Sequence, residues 1–581
     1  MSRSTIARYL PIAGWLPDCS PRTIRADTIA GIALAGLLVP EGMAYAGIAG
    51  VPPQMGLYAA MAGMFVYAIF GTSRQLAVTA TSSSAAMLAA LVAPLAAGDA
   101  ARYAALACSA AIAAGFIFLL GGVLKLGAVS EFISKPVLKG FVFGLALTIM
   151  VKQAHKLTGI SSGQGNFFQL AWHAITSLKE VNLWTCAVGA TALVVMFLLG
   201  AFAPRVPSAL VVLVLGVLSV SLFGLKKHEV GVVGTIHAGM PSVTLPRIGE
   251  DDLADIFVGA IGIVLVLTAE GLAAGRTFAA KHKVEISPNQ ELCAMGAANI
   301  ASGLLGGIIV GGGMSGTAAN DSAGARSQLS TIASSICVAL TLAYLLPLIQ
   351  NLPEAVLGAI VVHAVAHLVD VKTLRYYARL RAGGVWGAII ALAGVLLMGI
   401  LKGLIFAVGI TLAVLMRRLS APQDSVLGRL PGLENFADVR RHPEAEQVPG
   451  LLIFRPNGVL FFANSNRIRS HLMDLITTSS RPLRAVLINL EASSEIDVTS
   501  LEMLQQLHGD LQQSGIALYF ARVADRVSDL FERSQFSGRL GAGRLFPGVD
   551  LAVAAFLRQN AALGETPEDK IVGAHVHNPQ R

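Results

Sequence analysis

Thr79-Ala80-Thr81-Ser82-Ser83-Ser84-Ala85-Ala86 and Gly312-Gly313-Met314-Ser315-Gly316-Thr317-Ala318-Ala319 are two short, hydroxyl-rich stretches set in apolar sequence, with Ser82 and Ser315 standing 233 positions apart. A second pair stands at nearly the same offset. Pro40-Glu41-Gly42-Met43-Ala44 matches Ala269-Glu270-Gly271-Leu272-Ala273, 229 positions on. Glu41 is the only charge between Asp27 and Arg74, and Glu270 the only one between Asp255 and Arg276. Small residues in a membrane helix are ordinarily packing contacts. Two matches at one spacing argue instead for a duplication in which both stretches do the same work.

The surrounding composition fits a polytopic α-helical membrane protein. The 581 residues are 54% hydrophobic and 13% charged, with mean hydropathy +0.66. A soluble chain carries about 25% charge, so a soluble enzyme is excluded for the chain as a whole, and disorder is excluded by its hydrophobicity. Gly, at 60 residues, suits closely packed membrane helices. The net charge of +8 is no sign of nucleic acid, because excess Lys and Arg in such proteins sit in cytoplasmic loops. The N-terminus is Arg-studded and shows no cleavable signal.

Between residues 27 and 416 about fourteen apolar spans follow one another, at ~20 residues per crossing. They include 80–97, 292–310, 315–333 and 334–350. With the N-terminus inside, Arg74, Lys125, Lys135, Lys139, Arg205, Arg276, Lys281, Lys283, the cluster Lys372–Arg381, and Arg417 with Arg418 all fall inside. Lys156, Lys179, Lys226, Lys227 and Arg247 fall outside. This bias places both termini in the cytoplasm of a multi-pass protein of the inner (plasma) membrane.

The expected domains are a cytoplasmic segment 1–26, a transmembrane domain 27–419 with repeats at about 27–225 and 250–419, a linker 420–448, a soluble α/β domain 449–563 and a polar tail 564–581. Each repeat holds about seven spans. An odd number turns the second copy upside down, giving a 7+7 inverted repeat. The stretches at Thr81 and Ser315 then open half-helices in mid-membrane, since Gly311 to Gly313 make a poor helix interior. Two such N-termini facing each other supply about one unit of positive potential and free N–H groups, which is an anion site. Thr81, Ser82, Ser315 and Thr317 can add hydroxyl donors.

The intramembrane carboxylates Glu41 and Glu270 are functional by default, because an ionisable group is costly there. Cys19, Cys108, Cys186, Cys293 and Cys337 show no metal-ligand spacing and read as small buried hydrophobes. His363 and His367 share a helix face without a carboxylate or cysteine to complete a metal set, and His155 reads as packed or interfacial. No nucleophile–base set, Walker motif or dinucleotide fingerprint occurs.

In the soluble part, Leu451–Arg455, Pro456-Asn457-Gly458 and Val459–Phe462 read as a hairpin with an Asn-Gly turn. A helix over 464–477, a strand over 485–490, a helix over 498–514 and a strand over 516–520 follow. That order gives parallel pairing through right-handed crossovers.

Asp27-x-x-Ala30-Gly31, Val39-Pro40-Glu41-Gly42-Met43-Ala44-Tyr45-Ala46, Pro52-Pro53, Gly56-Leu57-Tyr58 and Phe70-Gly71-Thr72-Ser73-Arg74 resemble the SulP family of anion permeases. Asn320-Asp321-x-Ala323-Gly324-Ala325-Arg326-Ser327-Gln328-Leu329 resembles that family's signature. The C-terminal part resembles a STAS domain, with Glu495-Ile496-Asp497-Val498-Thr499-Ser500 in its signature loop. There Thr499 or Ser500 stands where relatives are phosphorylated, or caps a helix.

The resemblance implies a core domain moving like an elevator against a gate domain, with substrate between the third and tenth helices. The implied substrate residues are Glu41, Ala80, Thr81, Ser82, Met314, Ser315, Gly316 and Thr317. The substrate class is sulfate, bicarbonate, chloride, oxalate or a dicarboxylate, and homodimers are common. Many relatives have Gln in place of Glu41, and some carry Arg in place of Gly316. Bicarbonate-carrying cyanobacterial relatives match at Thr81 and have an acid at Glu270, but their sodium site uses a Thr where this chain has Ala274.

Two ionised carboxylates beside an anion would repel it by several kcal/mol in a low dielectric. Binding anion and proton together removes that penalty. It also avoids moving a net charge at about 2.3 kcal/mol per 100 mV. The expectation is therefore secondary active symport of a small anion with protons, with Glu270 favoured over Glu41 as the proton carrier. The alternatives are an uncoupled exchanger or channel and a sodium-coupled bicarbonate symporter. The expected partners are the anion, a proton or sodium, membrane lipid and a second copy of the chain, with no cofactor, metal or nucleic acid.

Overall fold

The computed structural model describes residues 10–127, 135–163, 165–203, 206–234, 239–243, 245–246, 248–366, 368–379, 384–420, 424–479 and 481–562. His367, Arg205, Arg247, Arg381, residues 1–9 and the tail from 564 lie outside them. Two compact units, Met1–Thr411 and Leu412–Arg581, divide the chain.

The first unit is built from long apolar helices: α1 (Pro21–Ala49), α2 (Pro53–Phe70), α3 (Ser82–Ala96), α4 (Ala100–Val123), α5 (Lys135–Lys152), α6 (Leu183–Phe202) and α7 (Ser208–Phe223). After them come α8 (Glu250–His282), α9 (Pro288–Leu304), α10 (Met314–Ser322), α11 (Leu329–Leu340), α12 (Glu354–Ala366), α13 (Gly384–Met398) and α14 (Ile400–Ser420), whose last residues fall past the boundary at Thr411. Among the described residues, seven helical stretches are long and apolar enough to cross a membrane, and several shorter apolar helices accompany them.

Their starts follow local chemistry. Pro21 opens α1 and the Ser20 hydroxyl accepts from the Thr23 N–H at 3.2 Å, while Asp99 caps α4 and Asn182 caps α6. The helices pack through small residues. A β-carbon at Gly56 would overlap the Gly42 carbonyl oxygen, so α1 and α2 cross with backbones almost touching.

Two expected spans are broken. The apolar run 292–310 is helical only to Leu304 and then runs extended into β2 (Gly311–Gly312). The run 315–333 holds a short helix, α10, followed by a non-helical stretch at 323–328 before α11. Hydropathy does not see these breaks, because an extended backbone in the membrane needs only that its polar groups be satisfied by protein. Here Asn299 provides that: its amide accepts from the Val310 N–H at 2.9 Å and donates to the Val310 carbonyl at 2.8 Å. The Ser302 hydroxyl donates to the Ile308 carbonyl at 2.6 Å.

In the second unit, β3 (Asp424–Arg429), β4 (Phe436–Asp438), β5 (Leu451–Pro456), β6 (Ala485–Asn489), β7 (Ala517–Ala521) and β8 (Leu545–Phe546) form one sheet in the order β4-β3-β5-β6-β7-β8. β5 through β8 are parallel, as the β–α–β order requires. α15 (Ser465–Thr477), α16 (Val498–Gln513), α17 (Asp525–Arg533) and α18 (Val549–Ala562) complete it. One core packs Phe454, Ile488, Leu504 and Phe520 with α15–α17, and the other packs Ile453, Leu487 and Tyr519 with α18.

Three expectations are corrected here. The hairpin does not form, because residues 459–462 are not a strand and β5 pairs with β3 instead. Asn457 turns its amide to the Ser425 hydroxyl at 2.9 Å, and Asn464 ties the following residues into a tight turn through Phe461 and Val459. The polar segment taken for a linker therefore contains β3 and β4. The cap of α16 is Asp497, not Thr499 or Ser500, and Ser500 is fully buried.

Candidate functional site

The two hydroxyl-rich stretches meet. β1 (Val78–Thr79) pairs antiparallel with β2, Val78 opposite Gly312 and Thr79 opposite Gly311. α3 and α10 leave this pair in mid-bundle. A β-carbon on Gly313 would stand 3.4 Å from Thr81 Cγ2, and one on Gly316 would stand 3.4 Å from the Ala77 β-carbon. Ala80, Thr81, Ser82, Met314, Ser315 and Gly316 are thus brought to one place. Met314, 48% exposed, and Ser315 face open space, while Ala80, Ser82 and Gly316 are buried.

The helix starts are underused as donors. Thr81 and Ser84 form a capping box: the Thr81 hydroxyl accepts from the Ser84 N–H at 3.1 Å, and the Ser84 hydroxyl accepts from the Thr81 N–H at 2.9 Å. The Thr81 O–H proton stays free to donate. Among the described residues, the N–H groups of Ser82, Ser83, Met314, Ser315 and Gly316 meet no acceptor. Thr317 differs from expectation. Its hydroxyl donates to the Gly313 carbonyl at 2.6 Å and accepts from the Ala77 N–H at 3.2 Å, so it ties α10 to the strand and has no proton left for a ligand.

The carboxylates cross between repeats. Glu270 on α8 accepts from the Ser83 hydroxyl of α3 at 2.8 Å. Glu41 on α1 neighbours Tyr45 one turn on, and Tyr45 in turn neighbours Ser315 of α10. Glu270 is therefore tied directly to the half-helix of the other repeat, and Glu41 stands near the other one through Tyr45. Sequence reading missed Tyr45 and Ser83. The i, i+4 spacing of Glu41 and Tyr45 on one helix face was the available signal for the first.

The signature residues hold this arrangement from one side of the bundle. Asp27 Oδ1 accepts from the Arg326 N–H at 2.6 Å, and Oδ2 accepts from the Ser327 hydroxyl at 2.5 Å. Gln328 donates to the Ser73 and Leu76 carbonyls at 2.8 and 3.0 Å, and Asn320 donates to the Gln75 carbonyl at 3.0 Å. Asp321 pairs with Lys281 and His282 at the end of α8. Glu291, buried in α9, accepts from Tyr67, Thr72 and Ser73. Together they fix the approach of β1 to α10. No group of three His, Cys, Asp or Glu side chains among the described residues is arranged to hold a metal ion.

Comparison with known proteins bears on this arrangement. Residues 24–391 match the sulfate permease family, and residues 442–552 match the STAS domain. A Mycobacterium tuberculosis protein described as a probable sulfate transporter is 34% identical over 553 residues, covering 94% of this chain and 99% of that protein. High affinity sulfate transporter 2 of Stylosanthes hamata is 29% identical over 575 residues, covering 95% and 87%. The murine solute carrier 26 member A9 anion transporter, in its inward-facing state, shares the fold with a TM-score of 0.88 at 20% identity, covering 96% of this chain and 95% of that one. The transmembrane domain of a cyanobacterial bicarbonate transporter aligns with a TM-score of 0.60 at 25% identity, covering 67% and 99%. The crossed repeat, its paired half-helices and the soluble sheet that follows are those of a multi-pass membrane transporter rather than an enzyme, and the chain belongs to the sulfate permease family.

Proposed function

We propose that this chain carries small oxyanions of the sulfate class into the cell, coupled to protons through Glu270 and, secondarily, Glu41. The observation that carries the reading is the hydrogen bond from Ser83, at the start of one half-helix, to Glu270 of the other repeat. An anion seated on the free N–H groups of Ser82, Ser83, Met314, Ser315 and Gly316 would lie close to both carboxylates. The anion and an ionised carboxylate then compete for the same positive potential, and a proton on the acid relieves the competition. Relatives named as sulfate transporters support the choice of anion. Ala274, which has no hydroxyl one turn after Glu270, argues for protons over sodium.

On this reading the protein sits in the inner membrane with both termini cytoplasmic. It works by elevator-type alternating access and pairs with a second copy. Ala80, Thr81, Ser82, Met314, Ser315 and Gly316 hold the substrate, and Thr317 positions the helix. The test is reconstitution in liposomes with labelled sulfate, bicarbonate, chloride and dicarboxylates, with and without an imposed pH gradient. Glu270→Gln should retain anion exchange and lose the proton dependence of net uptake, while Glu41→Gln should weaken coupling less. Wild-type proton dependence in Glu270→Gln refutes the assignment. Uptake indifferent to the gradient in the parent protein makes it an uncoupled exchanger.

A further inference from the structure

A cavity of 230 Å³ opens where the C-terminal end of α1 and the far half of α3 meet the break between α5 and the short helix Ala154–Thr158. One wall is small and apolar: Gly47 of α1, Gly50 just past its end, and Ala89 and Ala93 of α3. The other carries Lys152, Gln153, His155 and Lys156, with His173 from the helix Phe167–Thr176. No carboxylate lines it. Gly47 and Gly50 lie six and nine residues beyond Glu41, about 9–14 Å along the helix, so this is a place apart from the half-helix site.

Lysines near the end of a membrane helix ordinarily stretch toward lipid headgroups. Lys156 turns inward instead, and a β-carbon at Gly47 would stand 3.1 Å from its Nζ. Among the described residues neither Lys152 nor Lys156 is ion-paired. The acids around the cleft stand back from it. Glu354 acts on Lys156 and His155 through space, and Glu180 accepts from the Ser161 hydroxyl at 3.2 Å. Gln153, only 4% exposed, belongs to the cavity wall, and its buried amide oxygen has no partner. A buried amide left unmatched is costly, and its NH2 end is the one that can donate to an anion.

We propose that this cleft is a second oxyanion site, which takes up a small multi-oxygen anion of the sulfate class on the membrane face opposite the start of α1 before the anion reaches the half-helices. Lys152 and Lys156 supply the charge and Gln153 supplies a neutral donor. The two glycines and two alanines let the anion approach both transporter helices. That the captured anion is the transported one rests on the function proposed above; the existence of the site does not.

The test begins with lysine acylation of the full chain in phosphatidylcholine nanodiscs, read residue by residue by mass spectrometry, with sodium sulfate against sodium gluconate at equal ionic strength. Sulfate should slow acylation of Lys152 and Lys156 several-fold while leaving Lys179 and Lys227 unchanged. Equal slowing at all four, or none, overturns the site. Slowing that appears only when phosphatidylglycerol is added assigns the cleft to a lipid headgroup and also overturns it.

In liposomes, Lys152→Gln with Lys156→Gln should raise the half-saturating sulfate on that face about tenfold and leave uptake from the other face unchanged. Lys156→Arg should retain wild-type behaviour. An unchanged half-saturation with intact protection overturns the route but not the function proposed above. Protection in a protein that carries no anion overturns that function but not the site.

Discussion

Thr81 separates a structural from a ligand-binding role for the half-helix start. Its hydroxyl accepts from the Ser84 N–H at 3.1 Å as the cap of α3, while its proton is free. Thr81→Val keeps shape and volume and removes both. Loss of the cap costs about 1 kcal/mol of stability; the reciprocal bond from the Thr81 N–H to Ser84 survives. Loss of a hydrogen bond to an anion costs about 1.5–3 kcal/mol of binding, which is about 10–150-fold in Kd. Thr81→Ser keeps both functions and should stay within about threefold of wild type. The assays are thermal unfolding in detergent and equilibrium binding of labelled sulfate to purified protein. A fall in melting temperature for Thr81→Val with unchanged affinity would show that Thr81 only caps the helix, and would falsify its role toward the anion.

Three other outcomes are expected. Gly312→Ala places a methyl 2.9 Å from Gly271 Cα and 3.1 Å from Leu76; overpacking of about 1–3 kcal/mol should push α8 from β2, and unaltered unfolding and uptake would contradict the close packing. In the soluble unit, burial works against ionised Asp497, yet hydrogen bonds from Ser500 and the Phe462 N–H hold its carboxyl below the usual range. Its stabilisation is whole above about pH 4 and fades as pH falls through the lower folded value. Asp497→Ala should then cost about 1 kcal/mol at pH 7, with the gap to wild type closing in acid; a gap that widens in acid reverses the assignment. Truncation after Arg418 should leave sulfate binding intact in protein that remains folded, because every proposed substrate residue precedes it; complete loss in folded protein ends the separation of roles.

The sequence made the membrane class, the duplication and the parallel soluble sheet legible because each writes itself in composition or period. The half-helices were legible through Ser82 and Ser315, since hydroxyl and glycine runs are unlike ordinary helix interiors. What escaped was pairing. Nothing local says that Ser83, rather than Ser82, faces Glu270, or that Thr317 spends its hydroxyl on Gly313 and Ala77. Those are choices of rotamer and register between segments 187 and 240 residues apart. The false hairpin at Asn457-Gly458 failed for the same reason: a strong local turn signal was outbid by β3, whose polar flanks disguised it as linker. Residues 323–328 read as helix because they sit in a weakly apolar run, whereas Asp27 and Gln328 hold the loop open.

The pairing of β1 with β2 also constrains how the protein can be made. Val78 and Gly312 are joined only after some 230 further residues have been synthesised and inserted. At about 5–20 residues per second that wait is on the order of 10–50 s. Throughout it, the start of α3, with the Ser83 hydroxyl that will meet Glu270, sits in the bilayer or the insertion machinery without its final partners, a costly state. The first repeat is therefore an unfinished object by design, and mutations in the second repeat that delay its arrival should show up as degradation during biogenesis before they show up as faults in transport.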